Sequence, residues 1–277
     1  MRGSPFLTQI ALREDRIQPG IHPFTLPLFE FGLGELKLTS PITFLVGENG
    51  SGKSSLLEAI AWACGFGAQG GSRDSSFAEG AEGHVLGRAL RLGWRQRVTD
   101  GFYLRSETFF NFAAYLEQVG SSFHAYGGQP LNSLSHGEAF LALFQHRFED
   151  GVYLLDEPEA ALSPARQLAF LRVLHDLTRT KIAQFIIATH SPILLTFPGA
   201  TVLQIGDGRI AAIPYAQTEH YSLTRARRRH GRHRELCDCE YDRRQSTDQN
   251  LVTDAPYERI PLPGVSIVSM KCAGQSG

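Results

Sequence analysis

A glycine-rich loop between a predicted strand and a predicted helix constrains the fold more than any other feature of the chain. The strand is predicted over 42–46, ITFLV, a compact run of apolar and β-branched residues. The helix is predicted over 54–63, where apolar residues recur at helical spacing. The loop sequence GENGSGKS fits G-x-x-x-x-G-K-[ST], a pattern whose test is this strand–loop–helix context. The alternative, a chance glycine turn, does not explain both flanks.

The residue types in this loop indicate how it would bind phosphate. Glycines let backbone N–H groups curl around a β-phosphate, and the positive end of the following helix faces the anion. Lys53 is expected to reach the β- and γ-phosphates, and the Ser54 hydroxyl to ligate Mg²⁺. The predicted phosphate-binding residues are Gly47, Glu48, Asn49, Gly50, Ser51, Gly52, Lys53, Ser54 and Ser55.

Two adjacent carboxylates follow a second buried strand. The strand is predicted over 152–155, VYLL, and Asp156 and Glu157 come directly after it. Ligands bind at the carboxyl ends of strands in parallel α/β sheets. Asp156 is therefore expected to hold Mg²⁺, and Glu157 to orient the attacking water. By itself the pair is explained equally well as an acidic turn, but the glycine loop upstream favours the catalytic interpretation.

Two further motifs are ambiguous when each is taken alone. A strand predicted over 185–189, FIIAT, ends at His190, which would bond either the γ-phosphate and water or an ordinary local partner. The motif LSHGE opens a helix predicted over 135–146. Its Ser135 is either part of an anion site at a helix N-terminus or simply the N-cap.

The rest of the pattern alternates strands with helices, which predicts an α/β fold with a mainly parallel sheet flanked by helices. An antiparallel β portion is expected at the N-terminus, and a small helical portion around LSHGE. The other predicted elements are short strands and turns over 6–46, a mobile loop over 65–83, strands over 84–105, helices over 107–119 and 164–179, a turn over 127–130 and a hairpin over 201–213.

Composition narrows the setting in which the protein works. The formal net charge of −1 gives no general attraction to nucleic acid or to anionic membranes. No apolar run approaches the length of a membrane span, and the first residues lack the apolar stretch of a secretory signal. The positions of the four cysteines do not resemble a disulfide framework. These features predict a soluble, cytoplasmic protein.

The order and spacing of the four motifs resemble those of ABC-type ATPases. LSHGE resembles the signature motif, DEPEAALSP the Walker B motif with its D-loop, and ATHSP the switch histidine. Within that class the chain looks like the small stand-alone predicted ATPases of the AAA-type group related to RecF, SMC and OLD proteins. DEPEAALSP, QFIIATHSPILL and TEHYSLTR are typical of that group. The resemblance covers roughly residues 5–225.

The resemblance implies an ATP-dependent homodimer in which two subunits sandwich two ATP molecules head to tail. The loop 47–55 of one chain would bind the phosphates, and Ser135 and Gly137 of the other would cap the γ-phosphate. His136 and Glu138 depart from the transporter signature, and Ser163 replaces the D-loop aspartate. The loop glutamine of the class has two candidate positions, Gln96 and the pair Arg105/Glu107.

The chain changes character after about residue 224. An ABC-type ATPase domain is predicted over 1–224, and an irregular, arginine-rich, disordered tail over 225–277. We interpret the tail as the product of a reading frame lost near residue 225. Two alternatives stay open: a nucleic-acid-binding arm, with Arg227, Arg228, Arg229, Arg232 and Arg234, and a metal site, with His230, His233, Cys237 and Cys239.

The sequence thus predicts Mg²⁺-dependent ATP hydrolysis, with Glu157 and His190 as catalytic residues and Ser54 and Asp156 as metal ligands. The alternatives are a nucleotide-switched module that binds a protein partner, and the cytosolic ATPase subunit of a transporter. Binding to nucleic acid would rest on family analogy alone.

Overall fold

The larger of two β-sheets forms the centre of the fold. A computed structural model describes residues 3–30, 33–67, 81–106, 133–146, 151–180, 183–219, 221–222 and 224–225. The strands in these residues are β1 Leu7–Leu12, β2 Glu35–Lys37, β3 Ile42–Gly47, β4 Leu90–Trp94, β5 Gly101–Arg105, β6 Gly151–Asp156, β7 Ala183–Ala188, β8 Thr201–Gly206 and β9 Arg209–Ile213. The α-helices are α1 Pro27–Glu30, α2 Lys53–Cys64, α3 Ala81–Ala89, α4 His136–His146 and α5 Pro164–Arg179.

The larger sheet has six strands in the order β5-β6-β7-β3-β8-β9. The strands from β5 to β8 pair in parallel, and only the edge hairpin of β8 and β9 is antiparallel. Strands β6 and β7 are buried at every position, which fits their apolar runs and the predicted cover on both faces. The mainly parallel α/β fold predicted from the sequence is confirmed.

Alternate residues of the sheet pack into two separate cores, one on each face. On one face Leu45 and Leu154 contact α2 and α3, together with the N-terminal strands. On the other face Phe44 and Leu155 contact α4 and α5. The second core includes a cluster of stacked and edge-on rings from Phe140, Phe144 and Phe170. Helices therefore hold the sheet from both sides and fix its carboxyl edge.

The predicted N-terminal antiparallel portion is a three-stranded sheet with the order β2-β1-β4. The fully buried side chain of Gln184 joins it to the larger sheet. Its Oε1 accepts hydrogen bonds from the N–H groups of Phe6 and Leu7, at 2.8 and 2.9 Å, and its Nε2 donates to the Leu7 carbonyl at 2.8 Å. An amide satisfies both donors and acceptors at this buried seam.

Two local predictions require correction. Residues 84–89, predicted as strand, belong to the helix α3, which also takes in the end of the predicted loop 65–83. The helix is stable there because Leu86 and Ala89, three positions apart, are both fully buried against α2. Gly87 completes the contact, since a Cβ there would lie 2.5 Å from Trp62 Cε3.

Other predictions agree with the structure or cannot be compared with it. The opening segment contains a short 3-10 helix, Glu14–Arg16, and α1 besides its strands. The helix predicted over 164–179 is α5, whose N-cap Ser163 accepts a hydrogen bond from the Arg166 N–H. The predicted helix 107–119 and turn 127–130 lie outside the described residues. So does the predicted tail beyond Arg225.

Candidate nucleotide site

The glycine loop connects β3, a parallel strand between β7 and β8, to α2. Gly50 and Gly52 have φ angles of 78° and 99°, in the left-handed region that glycine adopts without steric cost. Gly47 has a different constraint, because a Cβ there would come within 2.4 Å of the Ile205 carbonyl oxygen on β8. Glycine is thus required at these positions for two reasons, the shape of the loop and its close contact with a neighbouring strand.

Lys53, the first residue of α2, folds back over this loop. Its Nζ donates to the carbonyl oxygens of Gly47 and Glu48 at 2.7 and 2.9 Å, and the side chain is nearly buried. Burial lowers the pKa of Lys53, and the nearby carboxylates of Glu157 and Asp156 oppose that shift. The ammonium group is therefore held at the mouth of the loop among acceptors and acidic side chains.

The predicted metal ligands are in direct contact. Ser54 Oγ donates to Asp156 Oδ1 at 3.1 Å, although the two residues lie on different elements, α2 and β6. Arg105, at the end of β5, lies in register with Asp156, and its Nε is 4.0 Å from Asp156 Oδ2. Its Nη1 is also 4.0 Å from Glu58 Oε2, so one guanidinium lies near two carboxylates.

The backbone of Glu157 is left-handed and is fixed from two sides. Its φ of 49° is unusual for a residue with a side chain. Its N–H donates to the Ala188 carbonyl at 3.0 Å, and its own carbonyl accepts from Ser106 Oγ at 2.6 Å. The half-exposed carboxylate lies 3.8 Å from the Nε2 of His190, measured from Oε1. Two strand ends thus bring the two predicted catalytic side chains together.

His190 is anchored through its backbone. Its N–H donates to Glu159 Oε1 at 2.6 Å. Burial lowers the pKa of the imidazole, and the positive charge of Lys53 lowers it further. Burial raises the pKa of Glu159, although the hydrogen bond from His190 opposes that shift. The histidine is consequently favoured as a neutral ring beside Glu157.

A buried polar network fixes the loop that follows His190. The Ser191 hydroxyl donates to Gln167 Oε1 at 2.5 Å, and Gln167 Nε2 donates to the Leu162 carbonyl at 3.0 Å. The same Ser191 oxygen accepts from the N–H groups of Ile193 and Leu194. These bonds tie the end of β7 to α5 and limit the freedom of the histidine.

The LSHGE motif lies against α5. The N–H and hydroxyl of Ser135 both donate to Glu138 Oε2, at 2.9 and 2.5 Å, and Arg166 Nη2 donates to Glu138 Oε1 at 3.0 Å. These hydrogen bonds, first those from Ser135, lower the pKa of Glu138. A Cβ on Gly137 would lie 2.5 Å from Arg166 Cδ. The contacts described for Ser135 and Gly137 are thus with the D-loop side of the domain and not with the phosphate loop.

The structure therefore brings most of the predicted site residues to one edge of the sheet. Lys53, Ser54, Asp156, Glu157 and His190 converge there, while Ser135 and Gly137 lie elsewhere. The remaining predicted phosphate-binding residues form the loop and the first turn of α2, with Glu48, Asn49 and Gly50 exposed at its rim.

Sequence reasoning missed some of the polar residues at this edge. The sequence motifs do not predict Ser106 or Glu159, and they suggest Arg105 only as half of a loop-glutamine candidate. Gln96 is exposed and precedes β5, at the opposite end of that strand from the site. Glu107 lies outside the described residues. The signal in the sequence that could have indicated Glu159 is its position as the acidic fourth residue of DEPE, directly after the strand.

Two family models match consecutive parts of the chain. A model described as "AAA domain" matches residues 22–105, which contain the phosphate loop. A second, described as "AAA domain, putative AbiEii toxin, Type IV TA system", matches residues 122–196, which contain the other three motifs. No curated protein matches the chain significantly.

Solved structures that match include an SMC head domain from Thermotoga maritima, with 18% identity and a TM-score of 0.41, covering 76% of this chain and 98% of that one. Another is cbiO1 from Clostridium perfringens, part of the ABC transporter complex cbiONQ. It has 16% identity and a TM-score of 0.44, and the match covers 80% of this chain and 96% of that one. MJ1267, an ATP-binding cassette of an ABC transporter, has 15% identity, a TM-score of 0.45 and coverage of 76% and 91%.

The fold and the site define a P-loop nucleotide-binding protein. Both matched regions are similar to AAA domains, which supports a P-loop ATPase of the ABC/AAA type. None of the helices in the described part of the chain has the length and apolar character of a membrane span.

Proposed function

We propose that this protein binds ATP with Mg²⁺ and hydrolyses it to ADP and phosphate at a site completed by a second copy of the chain. The observation that carries the proposal is the convergence of Lys53, the Ser54–Asp156 pair and the Glu157–His190 pair at the carboxyl edge of one parallel sheet. Each group has a separate task in phosphoryl transfer to water, and no ordinary structural role requires all of them together.

The donor set suits Mg²⁺ in particular. Ser54 and Asp156 offer two hard oxygen ligands 3.1 Å apart, and the described residues contain no cluster of three or more His, Cys, Asp or Glu side chains suited to a metal. Mg²⁺ is usually held by one or two protein oxygens, with phosphates and water completing the octahedron. Bound there, Mg²⁺ would neutralise charge that develops on the phosphate oxygens.

The residues of the chain supply the other parts of the reaction. Lys53 and the loop N–H groups hold the phosphates, and the N-terminus of α2 favours their negative charge. Glu157 orients a water molecule for attack on the γ-phosphorus and accepts its hydrogen bond. A neutral His190, 3.8 Å away, donates to the γ-phosphate or to that water. The lowered pKa of His190 supports this assignment, because a charged ring would pair with Glu157 instead.

The position of the LSHGE motif supports a composite site. Ser135 and Gly137 contact Glu138 and Arg166 within their own chain. Because these contacts lie away from the phosphate loop of the same chain, they favour an action of Ser135 and Gly137 on a nucleotide bound by a second copy. In a head-to-tail dimer, the hydroxyl and N–H of Ser135 and the N-terminus of α4 would bind the γ-phosphate held by the partner.

The variant Glu157→Gln tests both halves of the proposal. Loss of the carboxylate should lower ATP turnover by a factor of about 100 or more while leaving nucleotide affinity nearly unchanged. Mg²⁺ and ATP should then convert the variant to a stable dimer, measured by size exclusion with light scattering. The matched control is Glu14→Gln, which changes an exposed glutamate far from Glu157 in the sequence.

Two results would count against the proposal. A monomeric Glu157→Gln variant with bound Mg²⁺ and ATP would refute the sandwich. A wild-type protein that binds ATP without turning it over would refute hydrolysis and leave a nucleotide-dependent binding module.

A further inference from the structure

Glu159 is a buried carboxylate next to the proposed catalytic pair, and the hydrolysis scheme gives it no task. It belongs to the 3-10 helix Pro158–Ala161, which follows Glu157 directly. Its Oε1 accepts the His190 N–H at 2.6 Å. Its Oε2 is buried, and the Thr189 side chain also forms a hydrogen bond with the carboxylate.

Placing a carboxylate here has an energetic cost. Desolvation disfavours the charged form, and the pKa of Glu159 is accordingly raised. An apolar side chain at this position would avoid that cost and would still fill the space. What an apolar side chain could not supply is a strong acceptor for the N–H that follows β7. Besides a hydrogen bond from its own backbone, the carboxylate accepts hydrogen bonds from two consecutive residues after β7, the His190 N–H at 2.6 Å and the Thr189 side chain. The geometry therefore locates the function of Glu159 at this segment and at the backbone of His190.

Two hydrogen bonds run between the DEPE segment and the end of β7, and they flank the Glu157–His190 pair. The Glu157 N–H donates to the Ala188 carbonyl at 3.0 Å, and the His190 N–H donates to Glu159 at 2.6 Å. Each segment thus gives one N–H to the other. The ring of His190 and the carboxylate of Glu157 extend from this double link, with 3.8 Å between Nε2 and Oε1.

We propose that Glu159 is a positioning residue that holds the backbone of His190 and thereby sets the distance of its imidazole from Glu157. This inference rests on the proposed function insofar as His190 and Glu157 act on ATP. Without Glu159, the segment after β7 keeps its Ser191–Gln167 anchor but loses the bond at His190 itself. The ring is then free to move by the ångström or so that separates productive from unproductive geometry.

The first test needs no nucleotide. Histidine-labelled protein is titrated by NMR, and the His190 signal is assigned by its absence in His190→Gln. Glu159→Ala should shift this signal and raise the pKa of His190 toward that of a free histidine, because the ring becomes more hydrated. Glu159→Gln should leave the signal close to wild type, since the amide oxygen can accept the same N–H. Glu14→Ala, a glutamate exposed on a 3-10 helix, is the matched control.

The second test is a double-mutant cycle in ATP turnover. Glu159→Ala should lower kcat by about tenfold to a hundredfold and change KM by less than about twofold. Glu159→Gln should recover most of that loss. In a His190→Ala background, Glu159→Ala should cost nothing further, because a residue that acts only through His190 has no effect once the ring is gone.

Three results would overturn the inference. In the double-mutant cycle, Glu159→Ala would lower kcat by the same factor with and without His190. Alternatively, Glu159→Gln would be as impaired as Glu159→Ala, or neither variant would move the His190 signal. A wild-type protein without turnover would refute the proposed function instead. The NMR titration would still decide whether Glu159 positions His190.

Discussion

Ser54 and Asp156, 102 positions apart in the chain, are joined by a 3.1 Å hydrogen bond from Oγ to Oδ1. Asp156→Asn keeps the size of the side chain but removes the charge of the proposed Mg²⁺ ligand. The Mg²⁺ concentration needed for half-maximal ATP binding should rise about tenfold or more, while binding of ATP in the presence of a chelator should not change. Calorimetric titration measures both. Asp207→Asn, in the exposed turn between β8 and β9, should behave as wild type.

Lys53→Ala should abolish tight ATP binding. The ammonium is positioned by the Gly47 and Glu48 carbonyls, so its removal deletes the proposed phosphate contact together with two hydrogen bonds that stabilise the loop. A loss of affinity of about a hundredfold or more is expected, since charge-assisted contacts to phosphate are strong. Fluorescence anisotropy with a labelled ATP analogue gives the affinity. Lys37→Ala, exposed on β2, serves as control, and equal affinities for the two variants would contradict the assignment.

Gly47→Ala should destabilise the fold even without nucleotide. The added Cβ would approach the Ile205 carbonyl oxygen to 2.4 Å, so β3 and β8 must separate locally. The expected loss in the free energy of unfolding is about 1–3 kcal/mol. Urea denaturation measures it, with Gly206→Ala as control because a Cβ there meets no atom within 4 Å. A similar stability for both variants would show that the loop adapts without strain.

Glu159→Gln should make the protein more stable than wild type at neutral pH. The folded state raises the pKa of Glu159 above its ordinary value of 4.5. The folded wild-type protein therefore binds a proton at Glu159 more tightly than the unfolded chain does. The contribution of Glu159 to stability is present below pH 4.5 and is lost as the pH rises through the raised pKa. The advantage of the glutamine variant should therefore grow over that range and then level off. Denaturant unfolding of both proteins from pH 4 to 8 checks the sign, and a constant difference would contradict it.

Structural features that are determined by residues adjacent in the chain can be predicted from the sequence. The strands β3, β6 and β7 and the phosphate loop each carry their own local pattern, so the carboxyl ends of the strands located the site. Local pattern failed at α3, where His84 to Ala89 suggested alternation. The segment is helical because Leu86 and Ala89 are buried against α2, and that contact depends on tertiary structure.

Features that depend on the order of strands were not predictable. Arg105 lies beside Asp156 only because β5 pairs with β6, and Glu159 reaches His190 only because β6 pairs with β7. No pattern within either segment specifies its neighbour. The role of Gln184 could not be predicted for the same reason. Its amide joins the two sheets, but the sequence around it indicates only a buried strand.

The central place of β3 has a consequence for how the chain acquires its activity during synthesis. Both parallel partners of β3 come from far downstream, β7 at Ala183–Ala188 and β8 at Thr201–Gly206. A ribosome-bound chain that ends before residue 183 presents the phosphate loop on a strand with neither neighbour in place, and Gly47 lacks the carbonyl of Ile205 against which it packs. Under the proposed function, the nucleotide site of a growing chain would form only after β7 and β8 have been synthesised, and bound ATP would then stabilise a sheet whose strands are already paired.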